Sequence, residues 1–219
     1  MGGYVGWIVV IAVMALPIVI GLTRETGHFR RVTRADRAMR ELATAPGWEL
    51  HDRSAGRWSG YVYHFPLVDG LPARVLHGSY EGHEVTVARL QRLEQRRGLH
   101  WLSVSYRLPR RYPMLRLERD WSAAHTGLPV PGNALYVPIA SDVDAVVGPM
   151  ESARLPQRLL ALGAPAVSLG GDEILFLYHP MPDVPDLPAL IAQLATLLPD
   201  VLGVTELLRE DPAAPEDAS

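Results

Sequence analysis

The stretch ARVLHGSYEGHEVTVARLQRL, residues 73–93, decides the fold class of this chain. Its two arms, residues 73–80 and 83–93, contain the Val, Thr and Tyr residues that are favoured in strands. Glu81 and Gly82 lie between the arms, and a two-residue connection of this kind is typical of a tight β-hairpin. The stretch therefore predicts two neighbouring antiparallel strands.

Further strand patterns lie on both sides of this hairpin. In residues 99–108, apolar and polar side chains alternate, which is the pattern of a strand with one buried face and one face in water. Residues 61–65 and 114–118 are shorter segments of the same type. Together these segments predict an antiparallel meander in the first half of the domain.

The second half of the chain mixes helical and strand patterns. Ser141 and Asp144 form a capping pair before a short helical turn, and a Leu-rich helix over residues 155–162 is predicted to end at Gly163. Strands then return at residues 166–169 and 173–179, on either side of Gly170-Gly171-Asp172, which predicts a second hairpin.

The last predicted helix begins at Asp186 and ends at Pro199, with a broad apolar stripe of Leu and Ile between them. Strands that come in runs, rather than in strict alternation with helices, predict an α+β fold. We expect an antiparallel sheet that is covered on one face by helices and is preceded by one transmembrane helix.

The transmembrane helix is predicted at residues 4–22, YVGWIVVIAVMALPIVIGL, after a short N-terminal end at residues 1–3. This uncharged run is long enough to cross the roughly 30 Å hydrocarbon layer at about 1.5 Å per residue. A cleaved signal peptide and a buried core helix are the alternatives. Against the signal peptide, MGGY has no side-chain charge and no small-residue cleavage site follows Leu22.

Residues 23–47 are predicted to form an Arg-rich helical stalk, with an amphipathic helix over residues 33–45 that Thr33 caps together with Asp36. Basic residues beside a span are retained in the cytoplasm. The Arg-rich stalk therefore predicts a single-pass protein of the cell membrane, with its N-terminus outside and its main domain in the cytoplasm. The α+β domain is assigned to residues 48–209 and a disordered acidic tail to residues 210–219.

Composition excludes several classes of function. Every one of the 21 basic residues is Arg, and residues 23–45 hold six of them with three acids, which leaves 15 Arg and 21 acids and a net charge of −6 elsewhere. That sign is wrong for a nucleic-acid-binding protein. With no Cys, the chain has no disulfide, thiolate metal site or Cys nucleophile.

Motifs of the common enzyme classes are absent as well. The sequence has no phosphate loop, no nucleophile elbow, no H-E-x-x-H pair and no dinucleotide-binding glycine motif. No catalytic residue and no cofactor can be assigned, and a non-catalytic role is favoured.

Two weak candidate sites remain. His77, His83 and Glu84 flank the first hairpin turn and could converge on a metal, although polar residues at a hairpin tip are usually there for solvation. The aromatic side chains of Trp58, Tyr61, Tyr63 and Phe65 could form a ligand groove or a partner surface. Packing in the core is the favoured alternative for these aromatics.

Gly47-Trp48 at the domain entry and Tyr80-Glu81-Gly82 at the hairpin resemble the corresponding features of single-pass membrane proteins of GC-rich actinobacteria. The resemblance implies an N-terminal anchor and a single cytoplasmic domain. It brings no known activity, so no catalytic residue is carried over.

Three functions are consistent with the sequence. The leading hypothesis is a membrane-anchored interaction or scaffold domain at the cytoplasmic face, since anchoring raises the effective concentration of the domain for its partners. The expected partners are the lipid bilayer and a membrane or cytoplasmic protein. The alternatives are a module that binds a lipid or small ligand and, less favoured, an enzyme of unfamiliar class.

Overall fold

The computed structural model describes residues 27, 29–52, 71–91, 100–119, 136–178, 181–184 and 186–208. Its helices are α1 (29–42), α2 (Val143–Ser152), α3 (Leu155–Ala161), α4 (Leu187–Ala195) and α5 (Leu198–Thr205). Its strands are β1 (Glu49–Asp52), β2 (Leu71–Tyr80), β3 (His83–Gln91), β4 (His100–Arg119), β5 (Tyr136–Ala140) and β6 (Ala166–Tyr178). The predicted combination of helices with an antiparallel sheet is confirmed.

The sheet is built around β4. Its strand order is β1-β2-β3-β4-β5, and β6 also pairs with β4, all in antiparallel directions. Because β4 has 20 residues, its first part pairs with β3 and its last part with β5, while β6 pairs with both parts. The segments 99–108 and 114–118 are predicted as two strands, and their described residues, 100–108 and 114–118, belong to this one long strand.

The hairpin that decides the fold class is present where the sequence predicts it. Tyr80 pairs with His83, and the two turn residues both have positive φ angles, 48° at Glu81 and 84° at Gly82. Two consecutive positive φ angles are characteristic of a type I′ turn, whose twist matches that of the flanking strands.

The predicted second hairpin at Gly170-Gly171-Asp172 is wrong, because β6 continues through these residues. Gly171 has a φ of 60° and pairs with Tyr112, where the register between β4 and β6 shifts. A glycine pair inside a strand accommodates this type of irregularity as well as it accommodates a turn. The long partner strand decides between the two possibilities.

The helices lie on one face of the sheet. Leu76, Val87, Val104 and Phe176 point to this face from four strands and are completely buried. They form one cluster with buried side chains from all five described helices, including Met39, Val146, Leu159, Ile191 and Val201. This helix-side core is the main hydrophobic core of the described domain.

A second cluster lies on the opposite face of the sheet. It consists of Val75, Ala88, Leu90, Trp101, Leu175 and Leu177, which are at most 5% exposed. No helix in the described ranges contributes a residue to this cluster.

Helix starts agree only partly with the sequence patterns. Asp186 caps α4 as predicted, with its side chain accepting a hydrogen bond from Ala189 N. Asp142, rather than Ser141, caps α2. Pro199 does not end the last helix, since it occupies the first turn of α5 after a break at residues 196–197.

The predicted cap at Thr33 is also wrong. Thr33 lies inside α1 and donates its hydroxyl proton to the Phe29 carbonyl. The helix has therefore already formed before residue 33.

Several predictions concern residues that lie outside the described ranges. These include the transmembrane helix at residues 4–22, the strand at residues 61–65 and the tail at residues 210–219. Within the described ranges, Leu187–Thr205 is long and apolar enough to cross a membrane, with a mean hydropathy of 1.7. This segment comprises α4 and α5, and its buried Leu, Ile and Val side chains belong to the helix-side core.

Candidate functional site

The helix α1, which follows the predicted span, packs directly on the sheet. Ala35, Ala38 and Met39 are at most 6% exposed and belong to the helix-side core, with Val32 and Leu42 packed at its margin. Their spacing places them on one side of a helix. The first described helix is therefore held by the same core as the other helices.

A cluster of charged side chains at Asp36 reinforces this packing. Arg89 Nε on β3 donates to Asp36 Oδ1 at 2.7 Å, and Arg74 Nη1 on β2 lies 3.2 Å from Asp36 Oδ2. The three side chains retain only 10–18% of their exposure. Arg74 also donates to Asp52 at 2.6 Å, and Arg89 Nη1 lies 3.2 Å from His100 Nδ1. We call Asp36, Arg74 and Arg89 the α1 latch.

The N-terminal half of α1 makes a second set of contacts, with residues 181–184. Arg34 forms an ion pair with Asp183 at 2.5 Å, and Arg31 Nη1 lies 3.4 Å from the carbonyl oxygen of Met181. Both side chains of the Arg34–Asp183 pair are more than half exposed, so this pair stabilises the fold by at most about 1 kcal/mol. The latch, rather than this pair, is the main polar attachment of α1.

A cleft of about 530 Å³ lies beside these contacts, and we call it the α1–α4 cleft. Arg31 of α1 lines one side, and Ala189, Leu190 and Gln193 of α4 line another. The remaining lining comes from the end of α3 and the segment before α4: Ala161, Leu162, Gly163, Met181, Pro182, Asp183, Val184 and Asp186. The volume falls within the roughly 300–1,000 Å³ of ordinary ligand sites.

The cleft is apolar with a few charged groups. Its two carboxylates are already engaged, because Asp183 pairs with Arg34 and Asp186 caps α4. Gly163 adopts a positive φ of 86° at the end of α3, and a Cβ at this position would lie 3.5 Å from the ring of Tyr178. The wall at Gly163 therefore rests on a buried aromatic ring.

The hydroxyl of Tyr178 is an unusual feature of this region. It is buried and has no hydrogen-bond partner among the described residues, whereas the buried hydroxyl of Tyr106 donates to the Ile191 carbonyl at 2.6 Å. Burial raises the pKa of both phenols far above the ordinary range, so both are neutral at physiological pH. The wall of the cleft at Gly163 is thus backed by an uncharged side chain.

The predicted metal candidates do not converge. His77 pairs with Thr86 and His83 pairs with Tyr80, and since Thr86 and His83 are three residues apart on β3, the two imidazoles lie on opposite faces of the sheet. Glu84 forms a long contact of 3.5 Å with Arg107. In the part of the chain that the structure describes, no three His, Asp or Glu side chains are grouped as metal ligands.

The aromatic surface predicted from the sequence lies in a part of the chain outside the described ranges. Trp58, Tyr61, Tyr63 and Phe65 all lie in residues 53–70, outside the described ranges. Trp48, which the sequence singled out at the domain entry, is described and packs its indole ring directly on Gly78 of β2.

A separate charged row crosses the sheet near the first hairpin. Arg107 on β4 lies 3.3 Å from Asp172 and pairs in register with Glu173 of β6. Burial raises the pKa of the Glu173 carboxyl, and a hydrogen bond with Ser105 opposes this effect. None of these groups is among the residues that line the α1–α4 cleft.

The latch and the cleft were both missed by the sequence patterns. Asp36 was interpreted as a capping residue, and nothing in a linear pattern connects it to Arg74 and Arg89. The only available signal was the position of Asp36 beside Ala35 on the apolar side of the helix, where an acidic residue needs a partner.

No family model matches the chain, and no curated protein matches it. The crystal structure of the mycobacterial trehalose monomycolate transport factor A is similar, with a TM-score of 0.46 and 16% sequence identity over 82% of this chain and 97% of that chain. A likeness of this degree does not bear on the function of the present chain.

Proposed function

We propose that this chain is a non-catalytic interaction domain that is anchored in the cell membrane by residues 4–22 and presents the α1–α4 cleft to a partner at the cytoplasmic face. The observation that carries the proposal is the packing of α1 by the core and by the latch. This packing joins the element that follows the anchor to one wall of the cleft.

A fixed helix has a direct consequence for binding. If α1 were a loose stalk, the domain would sample many orientations, and each encounter with a membrane partner would require ordering at an entropic cost. With α1 packed, the cleft is held close to the bilayer in a restricted orientation. The tether then supplies a high effective concentration without any additional contact.

The preferred partner is an apolar segment of a membrane or cytoplasmic protein. On α4, Pro188 and Gln193 are exposed, and the helix carries no charged side chain. An amphipathic helix that lies in an apolar groove is a common mode of recognition, and the cleft between α1 and α4 provides such a groove.

The test uses two matched glutamines. Gln193 lines the cleft on α4, whereas Gln157 is also exposed, on α3, and lies outside the cleft lining. Proteins that co-purify with the full-length chain from cell membranes should be lost with Gln193→Arg and retained with Gln157→Arg. Recovery of the same proteins in the same amounts with both variants would contradict the proposal.

A second candidate function is supported by the volume of the cleft, which is large enough for a small ligand or a lipid chain. Native mass spectrometry of the full-length chain released from lipid nanodiscs tests it. A bound mass that is present in the Gln157→Arg variant and absent from the Gln193→Arg variant would support this function. Identical spectra with no bound mass would remove it.

A further inference from the structure

The side of α1 that faces away from the domain carries a row of cationic side chains. Arg30, Thr33, Arg37 and Arg40 follow one another at intervals of three, four and three residues, which places them on one line along a helix. All four are exposed. We call Arg30, Thr33, Arg37 and Arg40 the Arg stripe. Phe29, 71% exposed, lies at its N-terminal end.

Among the described residues, few acidic side chains neutralise the positive charge of the stripe. Arg37 pairs with Glu41 at 2.7 Å, but both side chains are more than 60% exposed, so the pair is weak. Arg30 and Arg40 form no ion pair with any residue in the described ranges. Arg31 and Arg34 make their contacts with residues 181–183 instead. Among the described residues, the stripe is therefore a cationic surface with one weak ion pair, on a chain whose net charge outside residues 23–45 is −6.

We propose that the Arg stripe binds the anionic surface of the bilayer, so that α1 lies along the membrane between the lipid head groups and the domain. The inference rests on the proposed membrane anchor. It adds a defined orientation to the domain, with the helix side towards the membrane and the opposite face of the sheet towards the cytosol.

The dimensions favour a helix that lies along the surface. If α1 stood perpendicular to the bilayer, Arg40 would be roughly 15 Å farther from the surface than Arg30, at about 1.5 Å per residue. The Debye length at physiological ionic strength is about 8 Å, so Arg40 would then be screened from the lipid charge. A helix parallel to the surface brings all three guanidinium groups within reach. Exposed Phe29 then lies at the level where apolar side chains enter the interface.

An acidic protein is the alternative partner for such a stripe, and the composition argues against it. The centre of a protein interface is depleted of charged residues and enriched in aromatic ones. The middle of the stripe contains only Thr33 and Arg37, whereas a lipid surface needs no apolar centre. Anionic lipids are concentrated in the cytoplasmic leaflet, on the side where the domain is expected.

The absence of Cys allows a direct test in the full-length chain. A bimane probe is attached to Thr33→Cys in the stripe, and the chain is reconstituted in nanodiscs that contain a phosphatidylcholine with a spin label on its head group. Ser79→Cys is the control position, since Ser79 is exposed on the face of the sheet opposite the helices. We expect the nitroxide to quench the probe at position 33, but not at position 79, when phosphatidylglycerol is included.

Matched charge variants show whether the stripe is responsible. Arg30→Gln with Arg40→Gln removes two charges from it, while Arg111→Gln with Arg154→Gln removes two exposed charges elsewhere. Because each Arg near an anionic surface favours binding about fivefold, we expect the stripe pair to lower the ratio of docked to undocked domain roughly 30-fold. The control pair should leave the ratio unchanged, and 1 M salt should abolish quenching.

Two outcomes would overturn the inference while leaving the anchor intact. They are equal quenching in neutral and anionic nanodiscs, and no quenching at position 33 in a chain that remains in the bilayer after alkaline extraction. Release of the chain by alkaline extraction would instead overturn both the anchor and the orientation that depends on it.

Discussion

Replacement of Asp36 by Asn is expected to weaken the attachment of α1 and to destabilise the whole domain. Asn keeps the shape of the side chain and removes the charge that two Arg residues face. Removal of one partner from a buried ion pair costs about 3–5 kcal/mol, because the other charge stays buried and unpaired. Arg74 and Arg89 retain Asp52 and His100 as neighbours, and the cluster is not fully dry. We therefore expect a loss of about 2–3 kcal/mol.

The matched control is Asp183→Asn. Asp183 also pairs with an Arg of α1, but the two side chains are 52% and 57% exposed. Solvent screens such a pair, so its loss should cost at most about 1 kcal/mol. Each variant removes one carboxylate charge from an ion pair that involves α1. The two ion pairs differ in how deeply they are buried.

The assay is thermal unfolding of the full-length chain in mild detergent, followed by tryptophan fluorescence. For a chain of this size, each kcal/mol corresponds to a change of about 2–4 °C in the melting temperature. Asp36→Asn should therefore lower the melting temperature by about 4–12 °C, and Asp183→Asn by at most about 4 °C. Equal shifts for the two variants would refute the assignment of Asp36 as the main polar attachment of α1.

Three further predictions use the same melting assay. Tyr106→Phe should cost about 1–2 kcal/mol because it removes the hydroxyl that donates to a buried carbonyl. Tyr178→Phe should be neutral or stabilising, because that hydroxyl has no partner among the described residues, and equal losses for the two variants would contradict this expectation. Gly78→Ala should destabilise the domain by about 1–3 kcal/mol, since the new Cβ would lie 2.2 Å from a carbon of the Trp48 indole. Gly203→Ala in α5 should stabilise the domain by about 0.5–1 kcal/mol, because the new Cβ meets no atom within 4 Å. Glu173→Gln should raise the melting temperature at neutral pH, and the gain should vanish at a pH below the ordinary Glu pKa of about 4.3. Folding raises the pKa of this carboxyl, so the folded state holds the proton more tightly than the unfolded state does. The stability of the wild-type domain therefore falls as pH rises from the ordinary Glu pKa through the raised pKa of the folded state. A gain in melting temperature that does not change with pH would show that charge burial is not the cause.

Local turn and cap chemistry made part of the fold predictable. Glu81-Gly82 and Asp186 act through residues within four positions of themselves, so a linear pattern contains all the necessary information. Gly170-Gly171 shows the limit of this reasoning. The same two residues suit a hairpin turn or an irregular strand, and the length of β4, which the sequence pattern divided into two strands, selects the second.

The candidate site was not predictable because its contacts are distant in sequence. Asp36 and Arg89 are 53 residues apart, and Arg34 and Asp183 are 149 apart. Charged residues at such separations have many potential partners before the chain folds. Periodicity does place Ala35 and Met39 on one side of α1, but it does not identify the surface that they contact.

We propose that the domain is tethered to the cytoplasmic side of the membrane, and Cys labelling in intact cells measures on which side it lies. Ser79→Cys provides an exposed site in the full-length chain, whereas Ser168 on β6 is only 3% exposed and unsuitable for labelling. We predict that a membrane-impermeant maleimide labels position 79 only after the membrane is opened and that the chain stays in the membrane after alkaline extraction. Labelling of intact cells, or release of the chain by alkali, would contradict the account.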